Sequence, residues 1–247
     1  MAGPLPIVLL HPFPLDARFW EPVAAALGAD RAVIAPDFPG LGRAPLEEAP
    51  SVDGFASAVA ERIAAETPAG RAVVGGLSLG GYAALALAAH HPERVAALIL
   101  ADTRAEPDTA EAREGRHAGA RSVREEGPGR FLDGFVPRLV APGDAASLAA
   151  ARAIADEQEP EGIARALEAL AGRADRRPDL AGMDVPALVI VGSEDALTPP
   201  SFAEVLVAGL PDAELVVIPG AGHLTALEAP AEFTAAVGDF LARRADA

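Results

Sequence analysis

Short apolar runs alternate along the chain with longer stretches in which apolar residues recur every three or four positions. The short runs are nearly continuous in apolar residues, as expected for strands buried on both faces. They cover residues 5–10, 31–36, 71–76, 95–101, 186–192 and 214–219. The helical patterns between them cover 18–27, 52–66, 79–91, 200–208 and 230–243. This alternation predicts parallel strands joined by right-handed crossovers, hence an α/β fold with an open, doubly wound sheet.

One long interval, residues 103–180, breaks this alternation because it lacks a strand pattern. Its helical patterns cover 109–126, 145–157 and 160–173. Ligands bind at the carboxyl ends of parallel strands, so helices inserted after the fourth strand would cover the binding site. We therefore expect a core formed by residues 1–102 and 181–247, with a helical cap formed by residues 103–180.

The strongest chemical signal is the pattern Gly-Leu-Ser-Leu-Gly at residues 76–80, between an apolar strand and an Ala/Leu-rich helix. A serine on a sharp strand-to-helix turn has a strained backbone and needs neighbours without a Cβ atom, which Gly76 and Gly80 supply. The turn also places Ser78 at a helix N-terminus, where the helix dipole favours developing negative charge. The alternative is an ordinary N-cap serine after a glycine turn.

Two further side chains are expected at the same edge of the sheet. Asp195 follows the fifth predicted strand and His223 follows the sixth. A serine hydroxyl needs a base to take its proton, and a histidine can do so near neutral pH. We expect Ser78 to be the nucleophile, His223 the general base and Asp195 the acid that orients the histidine. Asp102, at the end of the fourth strand, is the rival acid.

The order of these segments resembles the α/β-hydrolase superfamily over nearly the whole chain. The matching segments are residues 9–16, 37–42, 76–81, 91–95, 192–195 and 220–223. The segment Gly-Ser-Glu-Asp at 192–195 resembles the usual acid loop, which favours Asp195 over Asp102. The resemblance implies a serine hydrolase that works through an acyl-enzyme without a metal or cofactor.

The same resemblance implies an oxyanion hole made of two backbone N–H groups, one after the serine and one in the loop after the first strand. Leu79 supplies the former. In the loop, Pro12 and Pro14 have no N–H group, so Phe13 is the expected second donor. His11 is expected to hold this loop by hydrogen bonds.

The substrate pocket is expected to be apolar, which suits small neutral esters. The candidate pocket residues are Trp20, Phe131, Phe135, Leu139, Leu197 and Leu224. The three from the inserted interval form a stripe at helical spacing, which is equally typical of a helix packed into a core.

Composition narrows the function further. The net charge of −16 disfavours nucleic acid and an anionic membrane surface as partners, and it argues against anionic substrates. Cysteine and lysine are both absent, which excludes disulfides, thiolate ligands and Schiff-base chemistry. We see no apolar run long enough for a membrane span and no signal peptide, so we expect a cytoplasmic protein that acts on a small ester or lactone. The oligomeric state stays open.

Three functions fit these observations. The first is ester hydrolysis. The second uses the same triad as a perhydrolase, an enol-lactonase or a carbon–carbon bond hydrolase; the loop from Phe13 to Trp20 resembles that of cofactor-free perhydrolases. An anionic enol-lactone would need an arginine in the pocket, and Arg104 is the candidate. The third is a ligand receptor that keeps the triad, since a fold alone does not fix a function.

Overall fold

The computed structural model describes residues 4–29, 31–47 and 50–244, and a six-stranded sheet runs through its centre. All neighbouring strands pair in parallel, in the order β2-β1-β3-β4-β5-β6. The strands are β1 (Ile7–Leu10), β2 (Val33–Ile34), β3 (Ala72–Leu77), β4 (Val95–Ala101), β5 (Ala187–Gly192) and β6 (Ala213–Ile218). The predicted α/β class with a parallel sheet is confirmed.

Most α-helices of the described residues fall close to the predicted periodic segments, whereas those at Gly129–Phe135 and Thr225–Glu228 had no predicted counterpart. They are α1 (Glu21–Leu27), α2 (Val52–Glu66), α3 (Leu79–His90), α4 (Ala110–Glu126), α5 (Gly129–Phe135), α6 (Ala145–Ala155), α7 (Pro160–Ala171), α8 (Pro200–Gly209), α9 (Thr225–Glu228) and α10 (Pro230–Arg244). Short 3-10 helices cover Ala17–Trp20, Pro92–Arg94, Val136–Leu139 and Arg177–Gly182. Helix α2 packs on α3, and α1 packs on α10.

The central strands are buried along their whole length, which explains their unbroken apolar sequences. Every residue of β1, β3 and β5 is buried. Strand β6, at one end of the sheet, alternates between more and less exposed positions, and Val217 is 42% exposed. At the other end β2 has two residues instead of the six predicted at 31–36, since Pro36 has no N–H group for a strand ladder.

The predicted helix at 18–27 is two elements instead of one. The Asp16 carboxylate accepts the N–H of Arg18 at 3.0 Å and caps the 3-10 helix Ala17–Trp20. Pro22 then stands in the first turn of α1, where its missing N–H is not needed.

The strand order creates a switch point between β1 and β3. The chain passes from β1 to β2 on one side and then crosses to β3 on the other side. At such a point the loops after the two adjacent strands run in opposite directions. A crevice therefore opens between these loops, at the carboxyl ends of the strands. The loop after β1 contains Phe13, and the turn after β3 contains Ser78.

Within the described chain, the inserted segment (residues 103–180) contains helices and turns but no strand. Helix α4 packs on α7 and on α5. The division into a core and a cap at these boundaries stays a prediction. None of the helices in the described ranges is both long enough and apolar enough to span a membrane.

Candidate active site

Ser78 lies on a strained turn between β3 and α3. Its backbone angles, φ 54° and ψ −110°, lie outside the regions that residues other than glycine ordinarily adopt. A Cβ atom on Gly76 would lie 2.1 Å from the carbonyl oxygen of Gly80, and one on Gly80 would lie 1.9 Å from that of Leu10. Glycine is therefore obligatory at both positions, and the turn stores about 1–3 kcal/mol of backbone strain.

Asp195 and His223 form a buried pair. The distance from His223 Nδ1 to Asp195 Oδ2 is 2.8 Å. Asp195 also accepts hydrogen bonds from the Thr198 hydroxyl at 2.6 Å and from the N–H groups of Leu197 and Thr198 at 2.8 and 2.9 Å. Burial alone would raise the pKa of Asp195, but the charge of His223 and these hydrogen bonds outweigh it and lower the pKa. The acid is thus held ionised beside the imidazole.

Ser78 and His223 border the same cavity, which has a volume of about 600 Å³. No hydrogen bond joins the Ser78 hydroxyl to His223 Nε2 in the part of the chain that the structure describes. Catalytic hydrogen bonds of this kind are often long before substrate binds and tighten in the complex. The structure therefore brings Ser78 and His223 to one cavity and places Asp195, buried, in contact with the far nitrogen of the His223 ring.

Asp102, the rival acid, has different partners. Its Oδ1 accepts the N–H of Gly192 at 3.0 Å, and its Oδ2 accepts the hydroxyl of Thr225 at 2.5 Å. Burial, with the nearby charge of Asp195, raises the pKa of Asp102 well above its ordinary value. Asp102 ties the end of β4 to the end of β5 and to the loop that carries His223. In the structure it is therefore Asp195, and not Asp102, that contacts His223.

Sequence reasoning missed Glu228, which fixes the backbone on both sides of the histidine. Its carboxylate accepts the N–H groups of Gly222 at 2.9 Å, Leu224 at 3.0 Å and Ala141 at 2.7 Å. The pattern Thr-x-x-Glu at 225–228 suggests a capping box in which Glu228 would accept the N–H of Thr225, but that N–H donates to Asp102, so the pattern does not reveal the observed contacts. Glu228 connects the histidine loop to the inserted segment. Thr198, described above, was also missed.

The two predicted oxyanion donors lie in the loops on either side of the switch point. Leu79 is the first residue of α3, so its N–H has no acceptor within the helix. Phe13 lies in a turn in which the Leu15 N–H donates to the Pro12 carbonyl at 3.0 Å, and the Phe13 N–H donates no hydrogen bond among the described residues. Both amides are thus available to an external oxygen atom.

His11 holds the loop after β1. Its Nε2 accepts the N–H of Phe38 at 2.8 Å, while Nδ1 lies 3.1 Å from the carbonyl oxygen of Pro12. Burial lowers the pKa of His11, which agrees with a neutral ring. The histidine therefore connects this loop to the segment after β2.

Three of the six predicted pocket residues line the cavity: Phe131, Phe135 and Leu197. The rings of Phe131 and Phe135 stack with their centroids 5.4 Å apart, and Phe13 approaches Phe135 at 5.5 Å. The oxyanion loop and helix α5 therefore share one aromatic cluster.

The other three predicted pocket residues are not among the cavity lining, and this part of the prediction is wrong. Trp20 is 1% exposed and packs against the rings of Phe19 and Phe233, with centroids 4.8 and 5.9 Å away. Leu139 and Leu224 are likewise buried in the hydrophobic core. Residues that flank the predicted triad in sequence can therefore be buried in the core and not exposed to the cavity.

The expectation of an apolar pocket with few charges is also wrong for one wall. The charged lining residues are Arg104, Asp108, Glu111, Arg116 and Arg138. All five belong to the inserted segment. In contrast, no group of three or more side chains suited to hold a metal ion occurs within residues 4–29, 31–47 and 50–244.

Comparisons with known proteins agree with this geometry. A family profile described as the alpha/beta hydrolase family matches residues 7–237. The pimeloyl-[acyl-carrier protein] methyl ester esterase of Neisseria meningitidis is 34% identical over 254 residues, which covers 95% of this chain and 93% of that protein.

Two solved structures are similar over nearly the whole chain. A thermophilic esterase from Thermogutta terrifontis, solved with malate bound, superposes with a TM-score of 0.91 at 35% identity and covers 98% of this chain and 91% of that one. The enol-lactonase from Burkholderia xenovorans superposes with a TM-score of 0.87 at 30% identity, covering 98% and 92%.

The chain therefore belongs to the alpha/beta hydrolase family, as its sequence motifs predicted. Within that family it is a hydrolase of ester bonds, and the prediction of this enzyme class is confirmed.

Proposed function

We propose that the protein hydrolyses small carboxylic esters through an acyl-enzyme formed on Ser78. The observation that carries this proposal is the buried Asp195–His223 pair, 2.8 Å apart, whose histidine borders the same cavity as the strained Ser78 turn. A cavity of about 600 Å³ has the size of a small-molecule site.

The reaction follows from the positions of these groups. Ser78 Oγ attacks the ester carbonyl carbon while His223 takes the hydroxyl proton. Asp195 stabilises the imidazolium, and the N–H groups of Phe13 and Leu79 receive the developing oxyanion. The imidazolium then protonates the leaving alcohol. A water molecule, deprotonated by His223, releases the acid and restores the serine.

The inserted segment is proposed to act as a cap that selects the substrate. Its residues Phe131, Phe135 and Leu167 line the cavity together with Ser78 and His223 of the core. A binding site enclosed between two parts of the chain in this way is typical of small-molecule enzymes.

Opening of a lactone is a second candidate reaction. It is favoured by the 30% identity to the Burkholderia enol-lactonase, and it uses the same residues because a lactone is a cyclic ester. The methyl ester named for the Neisseria relative is a third substrate type to assay.

The test is turnover of p-nitrophenyl acetate and butyrate and of γ-valerolactone by the wild type, Ser78→Ala and Ser201→Ala. Ser201 is exposed on α8 and serves as the matched control. We expect Ser78→Ala to lose roughly 10⁵-fold or more in kcat and the control to keep wild-type rates. Peracid formation with added peroxide would instead identify a perhydrolase. Absence of turnover and of labelling by a phosphonate ester would contradict the proposal and favour a receptor.

A further inference from the structure

Three arginine side chains converge on one buried carboxylate beside the cavity. The Asp108 side chain is 0% exposed. Arg104 Nη2 lies 2.9 Å from Asp108 Oδ1, Arg173 Nη1 lies 2.8 Å from the same oxygen, and Arg116 Nε donates a short hydrogen bond to Oδ2. Burial alone would raise the pKa of Asp108, but the hydrogen bond and charge of Arg116 and the charge of Arg173 lower it.

One carboxylate balances only one of these three positive charges. Arginine stays protonated at every relevant pH, so the group formed by Arg104, Arg116, Arg173 and Asp108, here called the arginine cluster, carries excess positive charge. Arg138 adds a further guanidinium to the cavity lining.

Two other acids lie near the cluster. Glu111 also lines the cavity, and the backbone carbonyl of Glu106 accepts a hydrogen bond from Arg173. Among the described residues that line the cavity, three guanidinium groups face two carboxyl groups. A chain with a net charge of −16 therefore has a positive wall at its active cavity.

Two guanidinium groups of the cluster are partly exposed to the cavity, and one of them has an unpaired donor. Arg104 and Arg116 both line the cavity, with side chains that are 18% and 21% exposed. The Nε atom of Arg104 is buried and has no hydrogen-bond partner. The Arg104 guanidinium is further held over the ring of Phe202, 5.0 Å from its centroid. A fixed, incompletely paired guanidinium favours a ligand oxygen that can accept from it.

The cluster is also close in space to the serine turn. Thr103, which precedes Arg104, donates its hydroxyl to the carbonyl oxygen of Ser78 at 3.0 Å. Arg104 is thus the sequence neighbour of a residue that contacts the serine turn. Arg116 reaches the same cavity from α4.

We propose that the arginine cluster binds a carboxylate at the far end of the substrate, so that the preferred substrates are acidic esters or lactones instead of neutral ones. This proposal rests on the proposed ester hydrolysis and refines its substrate class. It reverses the expectation drawn from net charge, because the field inside a cavity is set by the groups that line it. Arg104 and Arg116 are the specificity residues.

The experiment compares monomethyl esters of straight-chain dicarboxylic acids, from four to seven carbons, with methyl esters of monocarboxylic acids of equal length. Rates are measured in a pH-stat at neutral pH. We expect the wild type to favour the acidic ester in kcat/KM by roughly tenfold or more at the best chain length, chiefly through a lower KM. Arg104→Gln and Arg116→Gln should raise KM for the acidic ester and remove most of this preference, measured as the ratio of kcat/KM between the acidic and the neutral ester.

The matched control is Arg121→Gln, which removes an equal charge from the same helix as Arg116. Arg121 is 58% exposed and pairs with Glu114 outside the cavity lining. An equal loss of preference in this control would overturn the proposal, as it would show that only overall charge matters. Equal rates for acidic and neutral esters in the wild type would also overturn it. So would a parallel loss of both activities in the cavity variants, which would mean that the arginines only hold Asp108.

A binding measurement keeps this test separate from the test of ester hydrolysis. Calorimetry with Ser78→Ala should show binding of monomethyl adipate but much weaker binding of methyl hexanoate, and adding Arg116→Gln should abolish the difference. If no ester is turned over but this difference is present, the proposed function fails and the carboxylate site stands. If neither ester binds better than the other, the carboxylate site is wrong whatever the enzyme does.

Discussion

The two walls of the cavity are built under different constraints. On the core side, added Cβ atoms on Gly76 and Gly80 would meet backbone atoms at 2.1 and 1.9 Å. On the side of the inserted segment, Cβ atoms on Gly115 and Gly134 would meet nothing within 4 Å. The serine turn is fixed by backbone contact on both flanks, whereas these two positions of the inserted segment have room for a methyl group.

This contrast assigns two tasks to two parts of the chain. The core holds the serine turn, the acid–histidine pair and the amides that receive an oxyanion. The inserted segment supplies Phe131 and Phe135 of the aromatic cluster and the whole arginine cluster, which we propose contact the part of the substrate beyond the ester group. Substrate preference can therefore change through the inserted segment without displacement of the reacting groups, which is how one fold supports many activities.

The largest effect that tests the core wall is expected for Asp195→Asn. Loss of the carboxylate should leave the imidazole in the wrong tautomer and its cation unstabilised, which lowers kcat by about 10⁴-fold. Steady-state kinetics on p-nitrophenyl butyrate measures this, with unchanged circular dichroism as the check on folding. If Asp102→Asn lowers kcat by this amount and Asp195→Asn does not, Asp102 and not Asp195 is the acid that orients His223.

The second effect is steric and should separate the two walls directly. Gly80→Ala places a methyl group against the Leu10 carbonyl, so we expect the protein to lose about 3 kcal/mol or more of unfolding free energy. Gly134→Ala, within α5 in open space, is the matched control and should not destabilise the fold. Denaturant titration of both variants gives the comparison. Equal stability of the two would show that the core wall is not fixed by contact.

Sequence patterns predicted the parts of the molecule that local rules determine. The buried strands and the Ser78 turn were predictable because an apolar run and a pair of glycines admit few other structures. The cavity wall was not, since exposure of Trp20 or Leu224 depends on which neighbours arrive from distant segments. Phe233, which covers the Trp20 ring, lies more than two hundred positions away in the chain.

The sequence pointed to Arg104 as a pocket arginine but did not predict the rest of the charged wall, for a related reason. Arg104, Arg116 and Arg173 are spread over seventy residues of a segment rich in arginine, and several other arginines there form ion pairs at the surface. Only the fold shows that these three share Asp108. Net charge, a sum over the whole chain, holds no information about such a local excess.

The third prediction concerns Asp102, which lies behind the core wall. Because burial raises its pKa in the folded protein, the folded state binds the proton more tightly than the unfolded state does. Its contribution to stability is therefore fully present below its ordinary pKa and is lost as the pH rises through the folded value. The wild type should be most favoured over Asp102→Asn near pH 4 and lose this advantage by at most about 1.4 kcal/mol per pH unit above it.

Denaturant unfolding between pH 4 and pH 8 measures this change. Asp239→Asn, at an exposed position of α10, is the control and should differ from wild type by a nearly constant amount. A pH-independent difference for Asp102→Asn would mean that the hydrogen bonds from Gly192 and Thr225 offset burial, so that the pKa of Asp102 is the same in the folded and unfolded states. Asp102 would then be ionised behind the core wall at neutral pH.

The smallest effect belongs to the open wall. Gly115 lies within α4 and borders the cavity, and its backbone is helical. Gly115→Ala should stabilise the protein by about 0.5–1 kcal/mol, because alanine loses less backbone freedom on folding, and raise Tm by roughly 1–4 °C. Since the new methyl group enters empty space, kcat/KM on small esters should stay within about twofold of wild type. A large loss of activity without a loss of stability would show that the substrate contacts α4 at Gly115. This position would then have no more room for a methyl group in the complex than the serine turn has.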